Sequence, residues 1–487
     1  MKKNKVKYIP IFLLIILVFS FVFNYIFPSN KDLCDIESSF HNILYDYKDF
    51  NDELPVITSA TYSTNQNHTI SITKDEVFED IDYLFSLLKY GYSAYDFFGG
   101  DEVFLQAKKD ILSSIEDLNK DVIYKDKILE IILSNLDFIQ DSHFVIEDYR
   151  LCTYTKYFST REYTFHEDSE GFYTYLNNDK LYLANIDNDE VSCYMKESLD
   201  ENGDLVYKLG VLSDTSDISV SLELLFQSNE ELIKKNISLF EYIPVYEEQE
   251  KSYIYYEMDN TSVLKLNSFC PMTPDDNSIE EFLKDSKNLR GKDKFIIDLR
   301  GNIGGSMINA EEWVKGFTGK KLQKDIVEAG LYTNTSIALS KKKFQAKENE
   351  PEDVKNICLD EIENYETKDY FPGWSPVKYT SSKPIKNDTN IVILADKNTA
   401  SAAEFFIHYL RKLENITVIG TLTNGCVLTG NCNMAILPNS NIRIKISHKI
   451  YMNRELSNID GFGLVPDFWV KPDQSLDRAI KYLNNKK

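Results

Sequence analysis

Ser401 follows an apolar stretch, residues 391–394, and precedes an amphipathic stretch that is typical of a helix. A serine at such a junction lies at a helix N-terminus, where unpaired backbone N–H groups and the positive end of the helix dipole stabilise an oxyanion. Ser401 and Glu404 also form a capping-box pattern, in which the hydroxyl only caps the helix. The position therefore predicts either a nucleophile or a helix cap.

A second candidate segment, residues 295–305, is an apolar strand that ends in a glycine-rich turn containing Gly301, Gly304 and Gly305. Glycines allow backbone N–H groups to point at a ligand. The spacing fits neither the dinucleotide nor the phosphate-loop fingerprint, and no Gly-Lys-Ser/Thr follows. The turn therefore predicts a binding loop for something other than a nucleotide.

Three segments follow one another in the chain: Asp298-Leu299-Arg300-Gly301-Asn302 with Gly304-Gly305, Thr399-Ala400-Ser401-Ala402-Ala403-Glu404, and Gly463-Leu464-Val465-Pro466-Asp467. In this order, over residues 252–475, they resemble the signature blocks of the C-terminal processing (tail-specific) serine peptidases, a family that includes the tricorn protease core. The resemblance implies a ClpP/crotonase-like α/β core with a mixed sheet and no cofactor. It also implies that Ser401 is the nucleophile and that the N–H groups of Ala402, Gly304 and Gly305 form the oxyanion hole.

The resemblance also bears on the group that activates the serine. Bacterial tail-specific members use a lysine in a loop after the next strand, and Cys426 occupies that position here. The tricorn-like branch uses a histidine that follows a serine, supported by an acid just before the last block. Ser142, His143 and Asp460 match that pattern, although the family usually has Glu at the position of Asp460. The resemblance thus implies His143 as the base, with Ser142 and Asp460 as orienting groups.

The chemistry is reasonable without the family, because an imidazole with a pKa of about 6.5 can take the proton of a weakly nucleophilic hydroxyl. His408 lies about two turns further along the helix than Ser401, too far to act on it. His448 is the reserve candidate for the base. The favoured function is a serine-type endopeptidase that acts on loosely structured peptides or proteins. Because a fold does not prove activity, the alternative is a non-catalytic protein that binds a peptide or an apolar ligand.

The elements around these residues divide the chain into regions. Apolar residues recur at helical spacing over residues 73–149, after a polar linker at 28–72. Residues 150–251 are rich in alternating Tyr, Thr and Val, and we expect a β-rich region without a clear PDZ domain. Residues 252–487 alternate strand and helix patterns, which predicts the α/β catalytic region. A polar, irregular insertion is expected at 320–388 within it.

The N-terminus predicts a membrane anchor. A cluster of lysines within residues 2–7 precedes an uncharged stretch at 8–27, which at about 1.5 Å per residue crosses a hydrocarbon core of about 30 Å. The lysines stay in the cytoplasm, so residues 1–27 predict a single-pass signal anchor with the catalytic region outside the cell. A cleaved signal peptide is the alternative.

Composition excludes other classes. With 54 Lys and Arg against 77 Asp and Glu, the net charge is −23, and such an acidic chain repels nucleic acid. The seven cysteines and six histidines show no zinc-binding spacing, so no metal is expected. Cys426 and Cys432 are close enough in sequence to form a disulfide in an oxidising compartment. The partners expected are peptide substrates and a membrane, and the sequence defines no oligomeric state.

Overall fold

The computed structural model describes residues 33–47, 71–228, 231–247, 249–346 and 373–486. The anchor predicted at 1–27 lies outside these residues. Among the helices in the described ranges, none has both the length and the apolar character that crossing a bilayer requires.

The N-terminal region is helical because its apolar residues repeat at the helical period. Thr73 and Glu76 form a capping box in which each accepts the backbone N–H of the other, and Val77, Ile81 and Leu84 behind them are completely buried. The helices predicted from this spacing are confirmed. The elements are α1 (Leu33–His41), β1 (Ser71–Thr73), α2 (Lys74–Gly91), α3 (Gly100–Glu116), β2 (Val122–Tyr124), α4 (Lys125–Asn135), β3 (Val145–Ile146) and β4 (Tyr149–Arg150).

The segment 28–72 is not a linker throughout. In its described part, 33–47, helix α1 buries Phe40 against the helical region. Tyr47 is also buried, and its hydroxyl donates to the carbonyl of Lys89 at 2.5 Å. The polar residues of this segment lie on the outer face of a packed element, which is why composition alone suggested a linker.

The middle region is one antiparallel sheet of eight strands in the order β6-β7-β8-β11-β12-β5-β10-β9. Alternate residues on one face, such as Phe158, Leu224 and Leu239, are completely buried, as expected for a sheet with one covered face. The strands are β5 (Lys156–Ser159), β6 (His166–Asp168), β7 (Gly171–Leu176), β8 (Asp179–Ile186), β9 (Met195–Leu199), β10 (Leu205–Ser213), β11 (Ser219–Ser228) and β12 (Glu231–Glu241).

A mixed sheet in the order β13-β14-β15-β18-β19-β22 forms the centre of the α/β region. Its first pair is antiparallel and the others are parallel. One face packs on helices α5, α6 and α8 through Phe282, Trp313 and Phe406, and the other packs on α9 through Ile480. Because helices cover both faces of this sheet, its parallel strands are continuous apolar runs. The α/β fold class predicted from the sequence is confirmed. The elements are β13 (Tyr253–Met258), β14 (Thr261–Leu266), α5 (Ser278–Asn288), β15 (Lys294–Asp298), α6 (Met307–Thr318), β16 (Ile326–Gly330), α7 (Asn334–Ala346), β17 (Lys378–Thr380), β18 (Asn390–Ala395), α8 (Ala402–Leu410), β19 (Ile416–Gly420), β20 (Thr429–Ile436), β21 (Arg443–Asn453), β22 (Phe468–Trp469) and α9 (Pro472–Asn485).

A further sheet joins the two ends of the chain. Its order is β17-β16-β21-β3-β4, with β20 paired to β21. Strand β3 pairs with β21 through Ile146 opposite Ile444. This pairing holds the N-terminal helical region, and the residues just before β3, against the α/β core.

The expectation of an irregular insertion at 320–388 is wrong for its described parts. Strand β16 pairs with β21 over five residue pairs, and β17 extends the sheet from β16. Helix α7 follows β16. The apolar run of β16 is short and is interrupted by Glu328, so its strand character depends on the long partner β21.

Candidate active site

Ser401 lies in the turn between β18 and α8, with φ 57° and ψ −118°. A non-glycine residue in such a conformation costs on the order of 1–3 kcal/mol and persists only where its surroundings impose it. Its N–H donates to Glu404 Oε2 at 2.9 Å, while the N–H of Glu404 donates to the Ser401 carbonyl at 2.9 Å. The helix-cap interpretation accounts for these bonds but not for the hydroxyl, which lies against an imidazole.

That imidazole belongs to His143, in the turn just before β3. Its Nε2 lies 3.2 Å from Ser401 Oγ, although the two residues are 258 positions apart in the chain. Burial lowers the pKa of His143 to about 3, helped by the positive charges of Lys445 and Arg150 and opposed by a hydrogen bond with the Thr429 backbone. The neutral imidazole that results can accept a proton from the serine.

Ser142 and Asp460 lie beside this pair but bond to backbone rather than to the imidazole or the nucleophile. Ser142 Oγ donates to the Gly425 carbonyl at 2.6 Å. Asp460 Oδ2 accepts the N–H of Ser142 at 2.9 Å, and its Oδ1 accepts those of Val427 and Leu428 at 2.7 and 2.8 Å. We expected both side chains to orient the imidazole or the nucleophile directly. Instead, Ser142 and Asp460 hold the backbone of the segments that carry and surround the reacting groups.

Asp141 is a buried carboxylate that the sequence did not single out for a role. Its Oδ1 accepts the backbone N–H of His143 at 2.8 Å, and its Oδ2 accepts the hydroxyls of Tyr92 and Thr429, each at 2.8 Å. Burial raises the pKa of Asp141 and, together with the nearby Asp141 charge, raises that of Asp460. Asp141 thus fixes the backbone of the candidate base.

The glycine turn packs directly against the nucleophile. A Cβ atom on Gly304 would lie 2.9 Å from Ser401 Cβ and 3.0 Å from the nitrogen of Ala402. The N–H of Gly304 donates to Asn302 Oδ1 at 2.8 Å, so it does not point at a substrate. Within the described part of the chain, the N–H groups of Gly305 and Ala402 donate to no backbone carbonyl. Of the three predicted oxyanion donors, these two remain available.

An ion pair between the buried Asp298 and the half-buried Arg300 explains the motif that precedes this turn. Arg300 Nε and Nη2 bond to the two oxygens of Asp298 at 2.8 and 2.6 Å. Asp396, at the end of β18, accepts the N–H of Gly301 at 3.1 Å. The pair and the second carboxylate hold the end of β15 and its turn beside Ser401.

His448, the reserve candidate for the base, has other neighbours. Its Nδ1 lies 3.5 Å from Ser340 Oγ and 3.4 Å from Asn433 Nδ2, under helix α7. Burial lowers the pKa of His448 to about 3. The structure brings His143, and not His448, to Ser401.

Cys426 occupies the position where the resemblance expects a lysine. Its Sγ lies 3.4 Å from Nδ1 and 3.5 Å from Nε2 of His143. Nearly equal distances to both nitrogens place the sulfur over the face of the ring. Burial raises the pKa of the thiol well above its usual value, so the sulfur is a neutral packing surface. Cys426 and Cys432, which could form a disulfide in an oxidising compartment, are both free thiols in this structure.

Lys397 is a half-buried lysine to which the sequence assigned no role. Its Nζ donates to the carbonyls of Thr423, Asn424 and Gly461 at 3.1, 3.2 and 2.9 Å. Burial lowers its pKa to about 8, and the charge of Glu404 opposes the change. Its contacts hold two loops together beneath the site.

In a comparison with known protein families, residues 260–470 match the model described as Peptidase family S41. No curated protein matches the sequence. Among solved structures, the chain is similar to mature CPAF, with 12% identity and a TM-score of 0.43 over 85% of this chain and 98% of that one. It is similar to the photosystem II D1 C-terminal processing protease, with 11% identity and a TM-score of 0.37 over 85% and 97%. It is also similar to the tricorn protease, with 13% identity and a TM-score of 0.35 over 85% and 37%.

Proposed function

Since the chain carries a peptidase family S41 domain over residues 260–470, we propose that it is an endopeptidase that cleaves loosely structured peptides or proteins through an acyl-enzyme on Ser401, outside the cell membrane. The family and the enzyme class predicted from the sequence, a serine-type peptidase, are confirmed by that match. The observation that carries the proposed mechanism is the 3.2 Å separation of Ser401 Oγ and His143 Nε2.

In the proposed reaction, the neutral imidazole of His143 takes the Ser401 proton as Oγ attacks the substrate carbonyl. The oxyanion that forms accepts the N–H groups of Ala402 and Gly305, near the N-terminus of α8. The imidazolium then protonates the leaving amine, and a water molecule activated by the same imidazole hydrolyses the ester. A base works best when its pKa is near the operating pH, and the negative charge of the oxyanion moves the low pKa of His143 in that direction.

Burial of the reacting groups supports an extended substrate. His143 is only 9% exposed, and Asn302 and Ala402 on either side of the nucleophile are completely buried. A folded protein surface does not reach such groups, whereas a single extended chain does. The acidic character of the chain, with a net charge of −23, disfavours nucleic acid as the substrate.

A fluorophosphonate probe, which reacts with activated serines, tests the proposal. We expect the wild type to be labelled and Ser401→Ala to be unlabelled at an unchanged melting temperature. We also expect His143→Ala to lose casein hydrolysis while His448→Ala retains it. Equal labelling of wild type and Ser401→Ala would remove Ser401 from the mechanism and favour a non-catalytic binding protein.

A further inference from the structure

Four consecutive backbone amides between the nucleophile and the base donate to two carboxylates, the buried Glu404 and the half-buried Asp460. We call residues 425–428 the clamp segment. Its first two amides donate to Glu404, and its last two donate to Asp460. The distances are 2.9 Å for Gly425 N to Glu404 Oε1, 2.9 Å for Cys426 N to Glu404 Oε2, and 2.7 and 2.8 Å for Val427 N and Leu428 N to Asp460 Oδ1.

Each carboxylate also bonds to the backbone at one of the reacting groups. Glu404 Oε2 accepts the N–H of Ser401 at 2.9 Å. Asp460 Oδ2 accepts the N–H of Ser142, the residue before His143, at 2.9 Å. The clamp segment is therefore tied at one end to the nucleophile and at the other to the chain that carries the base.

The clamp segment also touches the base itself. Cys426, its second residue, places Sγ over the imidazole of His143 at 3.4 and 3.5 Å from the two nitrogens. A shift of this segment relative to Ser401 would move the surface on which the ring rests. The hydrogen bonds of Glu404 thus act on both partners of the 3.2 Å contact between Oγ and Nε2.

Glu404 is completely buried, and four groups donate to it. Besides three amides, the hydroxyl of Thr423 donates to Oε1 at 2.5 Å. Burial raises the pKa of Glu404, and these four hydrogen bonds lower it. A carboxylate matches four donors, whereas an amide side chain would direct its own NH2 group at one of them.

We propose that Glu404 is a positioning residue of the peptidase, which sets the separation of Ser401 and His143 through the clamp segment. This role rests on the proposed function, because it presumes that these two residues react. A misplacement of about 1 Å costs on the order of 10²-fold in rate. We therefore expect Glu404→Gln to lower kcat by about 10-fold to 100-fold, with little change in KM.

The experiment measures kcat per active site, with sites counted by fluorophosphonate titration of Ser401. This quantity separates positioning from folding, since a merely structural role reduces the number of titrated sites and leaves kcat per site unchanged. Glu311→Gln is the matched control. Glu311, on α6, accepts the hydroxyl of Tyr409 with its Oε1 at 2.6 Å. Tyr409 lies on α8, as Glu404 does, but this bond is away from the clamp segment. The control is expected to keep kcat per site.

Two results would overturn the positioning role of Glu404. One is a Glu404→Gln variant with the kcat per site of the wild type. The other is a Glu311→Gln variant whose kcat per site falls as much as that of Glu404→Gln. If Glu404→Gln does not fold, Thr423→Val, which removes one donor to the same carboxylate, is measured instead. A fall in its kcat per site supports the role, and an unchanged value refutes it. A wild type that is not labelled at Ser401 would refute the proposed function and this role with it, whereas labelled wild type with an unaffected Glu404→Gln refutes the role alone.

Discussion

Replacing Gly304 by alanine tests whether the glycine turn is required for its close approach to the nucleophile. The new Cβ would lie 2.9 Å from Ser401 Cβ and 2.9 Å from the carbonyl oxygen of Ala400. Carbon atoms pack at about 3.5–4.0 Å, so the turn and the nucleophile must separate by about 0.6 Å or more. A displacement approaching 1 Å costs on the order of 10²-fold in rate, and we expect kcat to fall about 10-fold to 100-fold.

Backbone strain has to be separated from this steric effect, and Gly171→Ala provides the control. Gly304 has φ 103° and Gly171 has φ 124°, but a Cβ on Gly171 meets nothing within 4 Å. Both substitutions are expected to lower the free energy of unfolding by about 1–3 kcal/mol through backbone strain alone. Only Gly304→Ala is expected to change kcat.

The assay is peptide hydrolysis per fluorophosphonate-titrated site, with the free energy of unfolding measured by urea denaturation of the same preparations. Gly304→Ala with the same kcat per site as Gly171→Ala would refute the reasoning. It would show that the turn moves away without disturbing Ser401, and that a glycine is needed there only for its backbone conformation.

Two further predictions concern pH and orientation in the membrane. Burial lowers the pKa of His143 to about 3 in the folded protein, whereas an imidazole in the unfolded chain has a pKa of about 6.5. Burial of the neutral ring therefore costs no unfolding free energy above pH 6.5, and the protein loses unfolding free energy as the pH falls from 6.5 towards 3. Between pH 6.5 and 5, we expect the wild type to lose up to about 2 kcal/mol more unfolding free energy in urea than His143→Gln, and equal losses would contradict this burial. We also propose that residues 1–27 anchor the chain with its catalytic region outside, so that protease added to intact cells digests that region. If the catalytic region were digested only after the cells are lysed, this orientation would be contradicted. If the catalytic region were recovered from the medium, the N-terminal segment would be a cleaved signal peptide.

The local parts of the site could be predicted from the sequence. The strand, turn and helix around Ser401 follow from a short apolar run and an amphipathic stretch, and the glycine turn follows from its residue types. Each of these depends on neighbours in the chain. His143 was identified only through a resemblance to a family pattern, because no local rule relates a residue to another 258 positions away.

The role of Glu404 was hidden by a local explanation that is also correct. The Ser-x-x-Glu pattern predicts that Glu404 accepts the N–H of Ser401, and it does, at 2.9 Å. Its bonds to Gly425 and Cys426 depend on how the loop after β19 lies across α8, which residue types do not specify. Likewise, the helix at the start of the described chain and strand β16 form only because distant partners cover them, so polarity alone suggested a linker and an irregular insertion.

The shorter acid at position 460 is consistent with this backbone-based arrangement. A side chain that had to reach the imidazole or a serine hydroxyl would gain from the longer Glu that the family usually carries. Asp460 instead bonds to three backbone N–H groups at 2.7–2.9 Å, and those amides come to it because the clamp segment and the chain before His143 converge there. With Cys426 rather than a charged group over the ring, the imidazole is held by packing and by the backbone that carries it. The geometry of the candidate base therefore depends on the loops being locked, and the carboxylates of Glu404 and Asp460 lock them.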